Sequence, residues 1–207
     1  GEISDQALIR NSNFSVGKTF LFGGSEYGDV RGTDNAFLQI INDEGVNAEF
    51  NVGSLVIQAP SAGNKTSLLV GHGANVKTSS PVIVQAQKEG ATAQLLLGDT
   101  SSNAPEVQLK GPGDAKVVFN NGHTGDSAQE LRIPIVGNGS VEIQSGRTLF
   151  TVPTGYDGQT LIAEQGTLIL PTLNSVGQSR IVDNGELVYT GVKGTLQDKI
   201  SGTGAVS

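Results

Sequence analysis

Cysteine, methionine and tryptophan are absent from the 207 residues. Without cysteine no disulfide can staple the fold and no thiolate zinc set can form. The same absence suits a chain that crosses an oxidising compartment without being trapped by disulfides. The lack of Met, a start Met included, reads as an excised or processed segment. Aromatic residues make up 5% and charged residues 16%. A core must therefore come from Val, Ile, Leu and Ala in many small contributions. The 13 Lys and Arg are scattered singly among 20 Asp and Glu, for a net charge of −7. Phosphate backbones and anionic lipid surfaces call for clustered cations, so this balance argues against both. No apolar run approaches the roughly 20 residues that span a bilayer. A signal peptide or membrane anchor is expected outside this sequence.

Helical periodicity is also scarce. The best candidate runs from Asp34 to Gly45, where Ala36, Phe37, Leu38, Ile40 and Ile41 lie between a possible N-cap and a closing glycine. Phe37–Ile41 reads equally well as a strand.

Glycine is plentiful, 29 residues, about twice the usual share of roughly 7%. It punctuates short β-type runs of three to six residues, such as Ser67–Val70, Val82–Gln85, Gln94–Leu97, Lys116–Phe119, Thr148–Val152 and Glu186–Tyr189. Many short strands at even spacing mean a sandwich, a barrel or a solenoid. An internal repeat favours the solenoid. Ile135-Val136-Gly137-Asn138-Gly139-Ser140-Val141 matches the stretches Ile162–Leu168, Ile181–Leu187 and Ile200–Val206. In each, Ile stands four residues before a glycine and an aliphatic residue two after it, with glycines 27, 19 and 19 residues apart. Looser copies surround Gly73 and Gly113. A period of this length fits one coil of a right-handed parallel β-helix with about three short strands and three bends. Val141, Leu168 and Leu187 are then expected inside, with Ser140, Thr167 and Glu186 outside. Ile169 and Val188 fall on outward positions and suggest an apolar exterior stripe. A β-sandwich would instead require aromatic inner pairs and hairpin turns of defined length. The whole of 1–207 is read as a single β-helical unit, with 131–207 the clearest repeats and 1–50 less regular, either an N-terminal cap or the first coils.

Residues 131–207 resemble the passenger repeats of bacterial autotransporters (type V secretion). The phrases that carry the resemblance are Gly137–Ile143, Gln165–Leu170, Asn184–Tyr189 and Ile200–Gly204, similar to recurrent "NG-x-L-x-L" and "I-x-G-x-G" segments of that family. The resemblance implies a rod at the bacterial cell surface or in the extracellular space, anchored in the full-length protein by a C-terminal outer-membrane barrel that lies outside this sequence. It implies adhesion to a host-surface protein or glycan, self-association between like passengers, or carriage of a protease or esterase domain; the segment is read as non-catalytic, acting in adhesion or self-association. A rigid spacer for a distal functional domain is the first alternative.

Chemistry-bearing motifs are few. Gly125-Asp126-Ser127-Ala128 is similar to the Gly-Asp-Ser-Gly phrase of serine hydrolases but lacks the last Gly. The two histidines, His72 and His123, are isolated in sequence, and His123 is only four residues from Ser127. A polar loop from Asn120 to Gln129, extruded between coils, is the plainer reading. No metal, cofactor or catalytic set is assigned. Gly111-Pro112-Gly113-Asp114 is a lone partial match to a calcium-binding nonapeptide and reads as a turn. Arg31-Gly32-Thr33-Asp34 is only near an integrin-type Arg-Gly-Asp. A β-helical polysaccharide-degrading enzyme is the second alternative, and it needs clustered carboxylates. Asp43-Glu44 is the only adjacent acidic pair outside the repeats. Glu142 and Glu186 occupy different frame positions and would face opposite ways. Glu164 and Asp183, each two residues before its glycine, are expected to stack on neighbouring coils at a solvated bend.

Overall fold

The computed structural model describes residues 2–3, 6–10, 12–22, 35–42, 48–100, 104–191 and 200–207. The strands, in chain order, are β1 (Glu2–Ile3), β2 (Gln6–Arg10), β3 (Asn13–Phe22), β4 (Asn35–Ile41), β5 (Glu49–Ala59), β6 (Lys65–Val70), β7 (Asn75–Thr78), β8 (Val82–Ala86), β9 (Thr92–Leu97) and β10 (Val107–Lys110). They continue with β11 (Asp114–Asn120), β12 (Gln129–Leu131), β13 (Ile135–Gly137), β14 (Ser140–Phe150), β15 (Gly155–Tyr156), β16 (Thr160–Leu170), β17 (Ile181–Asp183), β18 (Glu186–Tyr189), β19 (Ile200–Gly202) and β20 (Ala205–Val206). One short 3-10 turn, Leu173–Val176, interrupts them. Among the described residues the protein is all-β, without an α-helix.

The strands form two sheets. One follows the order β1-β3-β5-β8-β10-β13-β15, with β7 beside β5. The other runs β19-β17-β16-β14-β11-β9-β6-β4-β2, with β12, β18 and β20 attached beside it. Neighbours in both are parallel, as in β6 with β9 and β10 with β13. Parallel neighbours cannot be joined by tight hairpins, which removes the sandwich of two-residue turns. The segment that could have been a helix is β4, paired with β2 and β6. Ala36, Leu38 and Ile40 are buried while Phe37 and Gln39 are half-buried, the two-residue alternation of a strand.

Register puts like residues over like. Leu38, Leu68, Leu95, Val117, Val141, Thr160, Ile181 and Ile200 stand in one column, each paired with the next. A second column holds Ile40, Val70, Leu97, Phe119, Ile143, Ile162, Asp183 and Gly202 through the same pairings. All but the last member of each column are at most 6% exposed where a value decides their place. Each buried aliphatic side chain contributes roughly 1.5–3 kcal/mol, so the long columns add to the few aromatic contacts, such as Phe119 with Phe150.

Two expectations are corrected by this register. Several expected short runs are parts of longer strands: Ser140–Gln144 and the first three residues of Thr148–Val152 belong to β14, which ends at Phe150, and Thr160–Ile162 and Thr167–Leu170 both belong to β16. The glycine frame also merged two different bends. Gly166 pairs with Gly146, not with Gly139, and Gly139 accepts from the N–H of Gly158 at 3.0 Å. Both bends use glycine followed by an aliphatic residue, so the sequence phrase is the same at each. Ile181 pairs with Ile200, as the frame requires, but Ile162 pairs with Asp183. The cause is local: four residues separate Ile162 from Thr167, whereas two separate Asp183 from Glu186, and the partners beyond are Thr167 with Glu186.

Some glycines are obligatory by contact. A Cβ on Gly137 would lie 2.0 Å from the Leu109 carbonyl oxygen, and its φ is +108°. Tyr156 pairs beside it and is fully buried. Its hydroxyl lies 2.7 Å from Thr160 Oγ1, which lies 2.6 Å from Ser179 Oγ, which donates to the Gly158 carbonyl at 2.7 Å. Desolvation pushes the Tyr156 phenol far above its ordinary range.

Candidate functional site

Glu164 and Asp183 do not share a solvated bend. Asp183 is 2% exposed and sits over Ile162 in the inner column, whereas Glu164 is exposed at the bend. The expected stack at a solvated bend is therefore absent. Burial pushes the Asp183 carboxyl above its ordinary range, and nearby Glu186 adds to that; the Gly185 N–H, donating to Oδ1 at 3.1 Å, works the other way. Its Oδ2 is buried without a hydrogen-bond partner. Glu142 and Glu186 do not face opposite ways, since both stand at half-exposed positions that alternate with buried ones. They remain apart in role: Glu142 approaches Lys116 at 4.0 Å and Glu186 approaches Arg147 at 3.7 Å. Arg31–Asp34 and Asp43-Glu44 lie outside the described residues.

The histidines, isolated in sequence, converge. β6 ends at Val70, and the turn after it carries His72. β9 pairs beside β6 and ends at Leu97, so the residue after Gly98, Asp99, falls next to His72. β11 pairs beside β9 in turn, and the loop after it carries His123. His72 Nδ1 lies 3.1 Å from Asp99 Oδ2, and His123 Nε2 lies 2.7 Å from Asp99 Oδ1. One carboxylate thus takes an imidazole on each oxygen. His123 Nδ1 then faces Ser127 Oγ at 3.1 Å. A carboxylate only accepts, so the contact with Asp99 is made by a proton on His123 Nε2, and in the neutral ring that leaves Nδ1 as an acceptor toward the hydroxyl.

The loop holding this chain of contacts is anchored from below. Asn121, 7% exposed, donates through Nδ2 to Gln129 Oε1 and Thr148 Oγ1, both at 3.1 Å, and its Oδ1 accepts the His123 N–H at 3.0 Å. A tight turn then brings Ser127 back: its N–H reaches the Thr124 carbonyl at 3.3 Å, with Gly125 at φ +62°. Ser127 Oγ can also donate to that carbonyl at 3.0 Å.

Beside the cluster is a cleft of about 600 Å³ whose lining includes polar His72, Asp99, His123, Gln129 and Arg132 and apolar Leu97, Phe119, Leu131 and Ile133. Its lining includes Asn75 of β7 and Gln129–Leu131 of β12, strands that among the described residues pair with β5 and β14 respectively. Among the described residues no group of three His, Asp or Glu is arranged to hold a metal ion; the imidazoles sit on opposite oxygens of Asp99 instead of converging on a common point.

Asp99 was the residue that sequence reasoning missed. The signal was present: Leu69-Val70-Gly71-His72 and Leu96-Leu97-Gly98-Asp99 share one frame, and Leu69 pairs with Leu96. Aligning these two phrases places His72 and Asp99 side by side.

The chain matches no family model, no curated protein and no solved structure.

Proposed function

We propose that the chain winds as a right-handed parallel β-helix of about three short strands per coil, and that it is part of a surface-exposed autotransporter passenger acting in adhesion or self-association. The observation that carries this reading is the pairing pattern. Neighbouring strands are parallel and a repeat apart in sequence, and one column of inward side chains runs from Leu38 to Ile200. Crossovers between parallel strands of one sheet are right-handed almost without exception, which supplies the hand.

A binding role rests on the exterior. Polar side chains tie one step to the next along the bends: Asn42 Nδ2 donates to the Gly73 carbonyl at 3.4 Å, Asn138 Nδ2 to the Gly111 carbonyl at 2.9 Å, and Ser145 Oγ to Asn120 Oδ1 at 2.5 Å. Such rows offer many weak hydrogen-bonding contacts to a host glycan, a host protein or a like passenger, and repetition adds them. The spacer reading draws on the same continuous core, which would make the rod stiff. The polysaccharide-enzyme reading loses its candidate pair with the separation of Glu164 from Asp183. Attachment through a C-terminal outer-membrane barrel belongs to the same proposal.

Display of this segment on cells or beads tests the role. Aggregation, or retention on host-surface material, supports adhesion. Monodisperse particles that bind nothing would reject it. If removing whole coils shortens the rod and leaves a distal domain's binding intact, the spacer reading replaces it.

A further inference from the structure

We infer that Ser127 is a nucleophile, with His123 as its general base and Asp99 orienting the base, and that the adjoining cleft takes carboxylic esters with short acyl chains. This goes beyond the binding role proposed above and does not depend on it.

The geometry has three parts. First, hydroxyl, imidazole and carboxylate form an ordered relay at 3.1 Å and 2.7 Å. The ring is used in the opposite sense from the familiar serine relay, with Nδ1 toward the hydroxyl and Nε2 toward the acid. The order hydroxyl, base, carboxylate is the one a serine relay requires. Second, the exposed His72 approaches the other carboxylate oxygen at 3.1 Å. Third, the Ala128 N–H follows the nucleophile directly and donates to no backbone carbonyl among the described residues. The N–H in that sequence position is the one commonly used to stabilise a developing oxyanion.

Substrate class follows from the cleft. His123 and Ala128 line it and Ser127 lies exposed on the same loop, immediately before Ala128, while Leu97, Phe119 and Leu131 in the lining offer an acyl chain apolar contacts. In the reaction, Ser127 Oγ attacks the ester carbonyl carbon and its proton passes to His123 Nδ1. The bond from that carbon to the alkoxy oxygen breaks, and the proton on Nδ1 goes to the departing alkoxide, releasing an alcohol. Water then gives a proton to the same nitrogen and attacks the acyl carbon. The bond to Oγ breaks, the carboxylic acid leaves, and the serine hydroxyl is restored.

The test uses the intact chain with 4-nitrophenyl acetate and a fluorophosphonate probe. A fluorophosphonate adduct is expected on the peptide containing Ser127 in the folded chain and not in the urea-unfolded chain. Ser127→Ala should abolish the adduct and the enzyme-dependent ester hydrolysis. His123→Gln should lower the hydrolysis rate by about 10² or more, the usual share of a general base. Asp99→Asn should lower it while leaving the circular dichroism spectrum unchanged, which separates a positioning role from loss of fold. Equal labelling of folded and unfolded chain, or full hydrolysis by Ser127→Ala, would overturn the inference. Aggregation or host binding by Ser127→Ala should match that of the parent chain, so failure here leaves the adhesion proposal to its own test.

Discussion

Single residues in this protein are judged by the column they occupy. Asp183 stands where Ile162 stands one step earlier, with one carboxylate oxygen unpartnered. Its folded-state pKa is raised, first by desolvation. A raised carboxyl pKa means the folded state holds the proton more tightly than the unfolded state. There is then no penalty below the unfolded pKa, near 3.9, and the penalty grows as pH rises through the folded value. Asp183→Asn should therefore raise the melting temperature at pH 7, by an amount on the order of 1–3 kcal/mol of stability. The gain should fade toward pH 3, as thermal unfolding across that range will show. Glycine gives a second residue-scale test. Gly137→Ala forces a Cβ toward the Leu109 carbonyl at positive φ and should cost about 1–3 kcal/mol or more. Gly122, which has open space around its Cβ position, should tolerate Ala within about 0.5 kcal/mol. Paired denaturant titrations check the contrast.

At the scale of elements, strand identity and inward faces were legible in sequence because a two-residue alternation survives wherever one face is buried. Val141, Leu168 and Leu187 are buried as their alternation requires. Phe37–Ile41, ambiguous as a short apolar run, became a strand once β2 and β6 supplied partners. Illegible were the joins. The glycine in Gln144–Arg147 signals a bend but not that strand β14 continues through it: Gly146 takes φ +74° while the pairing register slips between Ile143 and Ser145. The site was half legible for the same reason. His123 and Ser127 are local to one loop, but Asp99 arrives from another strand's end and is visible only through correct register. Thr160 shows how an element tolerates a polar member: it sits between Val141 and Ile181 in the inner column, yet joins Tyr156 to Ser179. Thr160→Val keeps the shape and leaves those two buried hydroxyls a partner short. The expected loss is about 1–3 kcal/mol, measured by chemical denaturation, with Thr160→Ser recovering most of it.

At the scale of the whole molecule, stability is distributed. Phe50, Phe119, Phe150 and Tyr156 are the largest fully buried side chains, and they sit among aliphatic columns that belong to one continuous hydrophobic cluster. Such a molecule depends on register more than on any one contact, because a slip by one residue turns an inward row outward. The absence of cysteine makes register directly measurable. Leu161 and Val182 pair on adjacent parallel strands at half-exposed positions, and neighbouring strands lie about 4.8 Å apart, within the usual Cα span of a disulfide. The double variant Leu161→Cys with Val182→Cys should close a disulfide on mild oxidation, seen as a mobility shift reversed by reductant. Leu161→Cys with Arg180→Cys, the pair implied by aligning Gly166 on Gly185, should remain largely open. Ready closure of the second pair and not the first would contradict the stacking of the columns on which the whole account stands.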